Sequence, residues 1–89
     1  MLTPDFTGRF KKDYKLAEKR KLDISLIDEV ISDLINEVPL DKKYKDHSLS
    51  GDFDGCRECH IKPDWLLIYQ VGNGIIVFER TGTHSDLFE

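Results

Sequence analysis

The chain has 89 residues and a formal net charge of −4 at neutral pH. A chain of this size supports one hydrophobic core and not two, so a single domain over residues 1–89 is expected. No apolar run approaches the ~20 residues that a membrane-spanning helix requires. The first ten residues also lack the basic-then-apolar order of an export signal, so the expectation is a cytoplasmic protein with no membrane partner.

Met1–Thr3 supports a strand only weakly. Residues 6–20 predict an amphipathic helix, with Phe6, Phe10, Tyr14 and Ala17 at helical spacing. It carries a dense basic stretch from Arg9 to Lys21 that includes Lys11, Lys12, Lys15 and Lys19. Residues 23–38 predict a second helix, because Leu26, Ile27, Val30, Ile31, Leu34, Ile35 and Val38 follow the i, i+3, i+4 pattern. Asp23 or Ser25 is placed to cap it, and Pro39 limits its length. This helix is acidic. The two opposite charge blocks read either as solvated faces that attract one another or as a local positive field for a polyanion, which the acidic average conceals.

Residues 39–55 form a polar connection holding Gly51 and Gly55. After Gly55 the apolar period changes from helix-like to strand-like. Strands are expected at 56–61, 64–71 and 75–80, with Gly72-Asn73-Gly74 as a hairpin turn. Helices followed by a meander mean an α+β fold, two N-terminal helices packed on a small antiparallel sheet. Leu26, Val30, Leu34, Leu67, Tyr69 and Val77 are the expected core. Residues 81–89 read as a polar, Gly-bearing tail that exposes its side chains.

The three histidines, at 47, 60 and 84, all fall in polar stretches beside turn signals. Histidine transfers protons near neutral pH. Arginine donates a planar fork of N–H groups to phosphate oxygens. Such a set suits RNA cleavage in which the 2′-hydroxyl attacks the adjacent phosphorus. That reaction requires no metal and no cofactor. Arg57 and Arg80 lie near these stretches in sequence.

Three segments carry a resemblance to a known family. They are Tyr44-Lys45-Asp46-His47, Cys59-His60-Ile61-Lys62-Pro63-Asp64-Trp65 and Phe78-Glu79-Arg80-Thr81-Gly82-Thr83-His84. They resemble the YafQ branch of the RelE/ParE toxins, which cut messenger RNA on the ribosome, and the likeness extends over nearly the whole chain. The resemblance implies a RelE-like fold with a first strand joining the sheet. It implies a toxin of a type II toxin–antitoxin pair acting as a metal-independent endoribonuclease (an mRNA interferase). It places His47, His60, Asp64, His84 and Arg80 in catalysis. It places Phe88 and Trp65 in substrate binding, and the guanidinium of Arg57 and the basic Lys11, Lys12 and Lys15 are expected to join them by their charge. It implies the ribosome, messenger RNA and a small DinJ/RelB-like antitoxin as partners.

Other readings stand beside these. Trp65 opens an apolar run and also reads as core. Arg80 also reads as the partner of a helix–sheet ion pair, and Asp64 as a turn residue after Pro63. A binding toxin on the same scaffold, inhibiting a protein such as gyrase, is the rival function. Cys56-Arg57-Glu58-Cys59-His60 spells the C-x-x-C-H string of haem attachment. It leads into an extended segment with no export signal, and no second pair of zinc ligands accompanies it. Two reduced cysteines on opposite faces of a strand are expected instead.

Overall fold

The computed structural model describes residues 1–88. The elements are β1 (Thr3–Phe6), α1 (Gly8–Lys19), α2 (Ile24–Ile35), β2 (His47–Ser48), β3 (Arg57–Lys62), β4 (Trp65–Gly72), β5 (Ile75–Gly82) and α3 (His84–Phe88), with single 3₁₀ turns at Lys42–Tyr44 and Gly51–Phe53. The strands form one sheet in the order β1-β5-β4-β3-β2. The meander is antiparallel, as expected, but β1 joins β5 in parallel, so the sheet is mixed.

Asn73 and Gly74 both have positive φ, 54° and 76°. This is the two-residue hairpin whose twist matches the flanking strands. Both long helices end on a residue in the left-handed region, Lys21 after α1 and Glu37 after α2. In each case two backbone bonds close the last turn, Leu22 N to Ala17 O and Lys21 N to Glu18 O in α1, and Val38 N to Asp33 O and Glu37 N to Leu34 O in α2. These closures stop α2 at Ile35, three residues short of the Val38 that periodicity had suggested.

The helices α1 and α2 cover one face of the sheet. Phe10 and Ala17 of α1 and Ile27, Val30 and Ile31 of α2 pack there with Cys59, Ile61, Trp65, Leu67, Tyr69, Ile76 and Phe78. Val30, Leu67 and Tyr69 are buried as expected, whereas Leu26, Leu34 and Val77 are only half-buried. Leu26 and Leu34 flank the apolar stripe centred on Ile27, Val30 and Ile31. Val77 alternates with the buried Ile76 and Phe78, so it points to the other face. There, Cys56, Leu66, Ile68 and Leu87 form a smaller core, flanked by Leu49 and Phe53. The two free cysteines therefore belong to different cores. Burial, above all, pushes the Cys59 thiol up to about 12, which makes it inert as a nucleophile at neutral pH. No helix among the described residues is long and apolar enough to cross a membrane.

Among the described residues no ion pair joins the two charge blocks, and the helices are linked instead through a neutral side chain. The Tyr14 hydroxyl donates to Asp28 Oδ1 at 2.8 Å. Burial and this carboxylate raise the phenol to about 12.

Beyond the end of β1, α1 guards the open edge of β5. Thr7 caps α1 through Phe10 N and also donates its hydroxyl to Glu79 O at 2.9 Å. Further along, Asp13 accepts the backbone N–H of Thr81 at 3.2 Å.

Candidate active site

The histidines come together on the sheet face that α1 and α2 leave uncovered. His47 on β2 lies directly opposite Glu58 on β3. His60 sits two residues beyond Glu58, hence on the same face. His84 opens α3, just past the end of β5. Ring centroids run from His47 to His60 at 6.2 Å, from His60 to His84 at 5.9 Å and from His84 to Phe88 at 6.4 Å. Phe53 meets Phe88 edge-on at 5.7 Å. The result is one line of four rings drawn from β2, β3 and α3, with Phe53 against its end.

Glu58 is the residue that the sequence reading missed. It is only 4% exposed. Its Oε1 lies 3.2 Å from His60 Nε2 and 3.5 Å from His47 Nε2. A buried carboxylate survives because cationic or N–H partners face it. The available signal was the alternation itself: Glu58 and His60 are i, i+2 on a predicted strand.

Hydrogen bonds set two of the tautomers. Lys45 O lies 2.8 Å from His47 Nδ1, and a carbonyl only accepts, so that nitrogen carries hydrogen. Asp64 Oδ1 lies 2.6 Å from His84 Nδ1 and also accepts the His84 backbone N–H at 2.9 Å. His84 Nε2 is therefore turned outward to exchange a proton. That backbone N–H is the main cause holding the Asp64 carboxyl below its ordinary range, with the imidazole second.

The expected tail is a short helix held by a reciprocal cap. Thr83 Oγ1 accepts Asp86 N at 3.0 Å, and Asp86 Oδ2 accepts Thr83 N at 3.0 Å. This is the capping-box arrangement, with Asp in place of Glu. Arg20 of α1 clamps the same carboxylate, with Nη1 2.6 Å from Oδ2. A Cβ at position 82 would lie 2.9 Å from Asp86 Oδ2, so glycine is required there for clearance. Arg20, followed by the Thr83 backbone N–H, holds the Asp86 carboxyl far below the usual carboxylate range. A depressed folded-state value gives stability that is present above the ordinary carboxylate pKa of about 4 and lost as pH falls below it. Asp86→Asn is therefore expected to cost about 1–2 kcal/mol at neutral pH and to flatten the acid loss of stability below pH ~4. Urea unfolding across pH 2–7 checks both; an unchanged acid slope would mean that this carboxylate does not anchor α3.

Arg80 is ion-paired with Asp13 of α1, Nε to Oδ2 at 2.6 Å and Nη2 to Oδ1 at 3.2 Å. Its partner across β4 is Ile68, whose own partner on β3 is Glu58. Arg80 thus shares a cross-strand row with Glu58 and His47, roughly two strand spacings or ~10 Å from Glu58. Nη1 makes no bond to another described residue.

Several expected substrate contacts are not brought to the histidines. Trp65 is 4% exposed, and its indole N–H donates to Thr81 Oγ1 at 3.0 Å, so it belongs to the core and not to an RNA surface. Arg57 alternates with Glu58 and so leaves β3 toward the opposite face, where its Nε donates to Asp46 Oδ1 at 3.0 Å. Asp46 also accepts the Tyr69 hydroxyl at 2.6 Å, tying down the segment that ends in His47. Lys11, Lys12 and Lys15 lie exposed on α1, in the layer across the sheet from the histidines. Phe88 is 48% exposed and free to stack.

His47, Glu58 and His60 each offer one ligand atom, all within 4.8 Å of one another, and are the group among the described residues that could hold a metal ion. Cys56 and Cys59 are not part of it.

The family model described as the bacterial toxin of a type II toxin-antitoxin system, YafQ, matches residues 2–89. The chain belongs to the YafQ family. It is similar to the mRNA interferase toxin YafQ of Escherichia coli K12, with 45% identity over 85 residues, which is 94% of this chain and 92% of that toxin. It superposes on the YafQ chain of the E. coli DinJ–YafQ complex with a TM-score of 0.93 and 42% identity, covering 100% of both chains. A metal-bound toxin from Helicobacter pylori matches with a TM-score of 0.92 and 43% identity, over 99% of this chain and 100% of that one. The YafQ family thus accounts for the whole described sheet, β1 included.

Proposed function

We propose that this chain is the toxin of a type II toxin–antitoxin pair. It acts in the cytoplasm as an mRNA interferase, cutting messenger on the ribosome by 2′-hydroxyl attack on phosphorus. The observation that carries this reading is the single line of His47, His60, His84 and Phe88 with two carboxylates behind the imidazoles.

The roles follow from the partners. The Glu58–His60–His47 group takes the proton from the 2′-hydroxyl. The 2′-oxygen bonds to phosphorus as the bond to the 5′-oxygen breaks. His84 Nε2 delivers a proton to that 5′-oxygen, with Asp64 holding Nδ1 and balancing the charge. Arg80, fixed by Asp13, contributes positive charge through its remaining N–H edge. Phe88 supports a base by stacking. The products are a 2′,3′-cyclic phosphate and a 5′-hydroxyl. A small antitoxin of the DinJ/RelB kind is the partner that silences it. A purely binding toxin of the gyrase-inhibitor type has no need of four proton-transfer groups arranged in this way.

The test is cleavage of translated messenger with and without ribosomes, followed by analysis of the new ends. Cyclic or 3′-phosphate ends formed in EDTA support the mechanism; 3′-hydroxyl ends or a metal requirement would sink it. Zinc or copper is expected to inhibit, and EDTA to reverse the inhibition. An ion bound by His47, Glu58 and His60 would occupy the atoms that take the proton. Undiminished cleavage with zinc in excess would show that this triad does not take a metal during turnover.

A further inference from the structure

We propose that the hollow beside the open edge of β3 is the subsite for the nucleotide next to the scissile phosphate. It is lined by Lys43, Tyr44, Lys45, His60 and Lys62. The proposal rests on the ribonuclease reading above and deepens it.

Position is the first argument. β2 covers β3 only at Arg57 and Glu58, so the edge from Cys59 onward is open. The 3₁₀ turn Lys42–Tyr44 lies beside that edge and encloses a hollow of about 350 Å³. This is at the lower end of the range for small-molecule sites, room for about one nucleotide. His60 lines the hollow and also belongs to the ring line, so a strand of RNA passing the histidines enters it without a break. Lys45 sits in the left-handed region, φ 50°, and its carbonyl holds His47 Nδ1. One backbone turn therefore builds both the hollow and His47.

Charge is the second. Lys43, Lys45 and Lys62 line the hollow, no acidic residue does, and none of the three makes an ion pair among the described residues. Arg20, Arg57 and Arg80 are each held by a carboxylate. Free cations in a concave site with low-dielectric walls concentrate a positive field. The floor is suited to a sugar or base, with Leu26, Ile61, Pro63 and the half-buried Tyr44.

The α1 lysines compare poorly. Lys11 and Lys15 border a larger groove of about 650 Å³ between α1 and α2, but Glu18 and Asp28 border it too. That groove lies across the sheet from the histidines.

The test compares two triple variants of the full-length protein, K43Q/K45Q/K62Q and K11Q/K12Q/K15Q. The probe is a short RNA with 2′-O-methyl groups that block cleavage, its binding followed by anisotropy over a range of salt. The hollow variant should lower the log–log salt slope by about 2, at ~0.7 per lost contact with a single strand. It should raise KM for messenger at least tenfold and leave kcat within about threefold. The α1 variant should leave slope and KM unchanged. All six lysines are exposed, and thermal unfolding confirms that both variants fold. Wild-type slope and KM in the hollow variant would overturn the proposal, as would weakened antitoxin binding with intact RNA binding, which would assign the hollow to a protein partner. Failure of the ribonuclease reading looks different: wild-type protein itself would then cut no messenger.

Discussion

His84→Ala is expected to slow single-turnover cleavage of ribosome-bound messenger by roughly 10²–10⁴-fold, the usual worth of a positioned proton donor. Stability should change little, because His84 is exposed at the start of α3 and the cap that holds this helix runs through Thr83 and Asp86. Asp64→Asn should lose a smaller part of the rate. The amide oxygen still accepts an N–H from His84, but the negative charge that balances the imidazolium is gone. If His84→Ala folds, binds and cuts at the original rate, the proton reaches the 5′-oxygen from elsewhere, and the ring line becomes a stacking surface alone.

The second large effect is on the fold. Phe78 is fully buried, stacked on Phe6 at 5.1 Å and tilted against Phe10 at 6.0 Å. Its ring thus joins β1, α1 and β5. Phe78→Ala should cost about 3–5 kcal/mol, a large share of the 5–15 kcal/mol typical of such a domain. At about 4–8 °C per kcal/mol for a small domain, thermal unfolding should shift down by more than ~12 °C. A shift of a few degrees would mean that the three elements close around the cavity and that this ring is not their common anchor.

The fold was legible where one element's own residues decide it. Val30 and Ile31 mark the buried stripe of α2, the Asn73-Gly74 pair marks the hairpin, and the apolar run from Trp65 marks the central strand. The site was legible only in part. The histidine line was reached through the family resemblance, since spacing of 47, 60 and 84 alone carries no geometry. Glu58 was overlooked because an acid in a strand reads as solvent-facing until its cross-strand partner is known. Arg80 was legible as one half of a helix–sheet ion pair, but its partner was not, because Asp13 lies 67 residues away in sequence. α3 is too short for a helical period, although Thr83 and Asp86 spell its cap. Lys43, Lys45 and Lys62 were passed over because the α1 lysines form the denser run, while the fold places the sparser set beside His60.

The parallel β1–β5 pairing also bears on how the protein is made. Thr7 bonds to Glu79, 72 residues later, and the edge strand β1 has no other partner in the sheet. A contact of such sequence separation forms late, after the costly closure of a long loop. During synthesis, β5 emerges after every other strand, and His84 and Phe88 emerge after β5. A nascent chain whose β5 has not yet emerged thus lacks the β1–β5 pairing and His84. Strand order thus makes the parallel closure of the sheet, and the His84 and Phe88 that follow it, the last parts of this domain to be put in place.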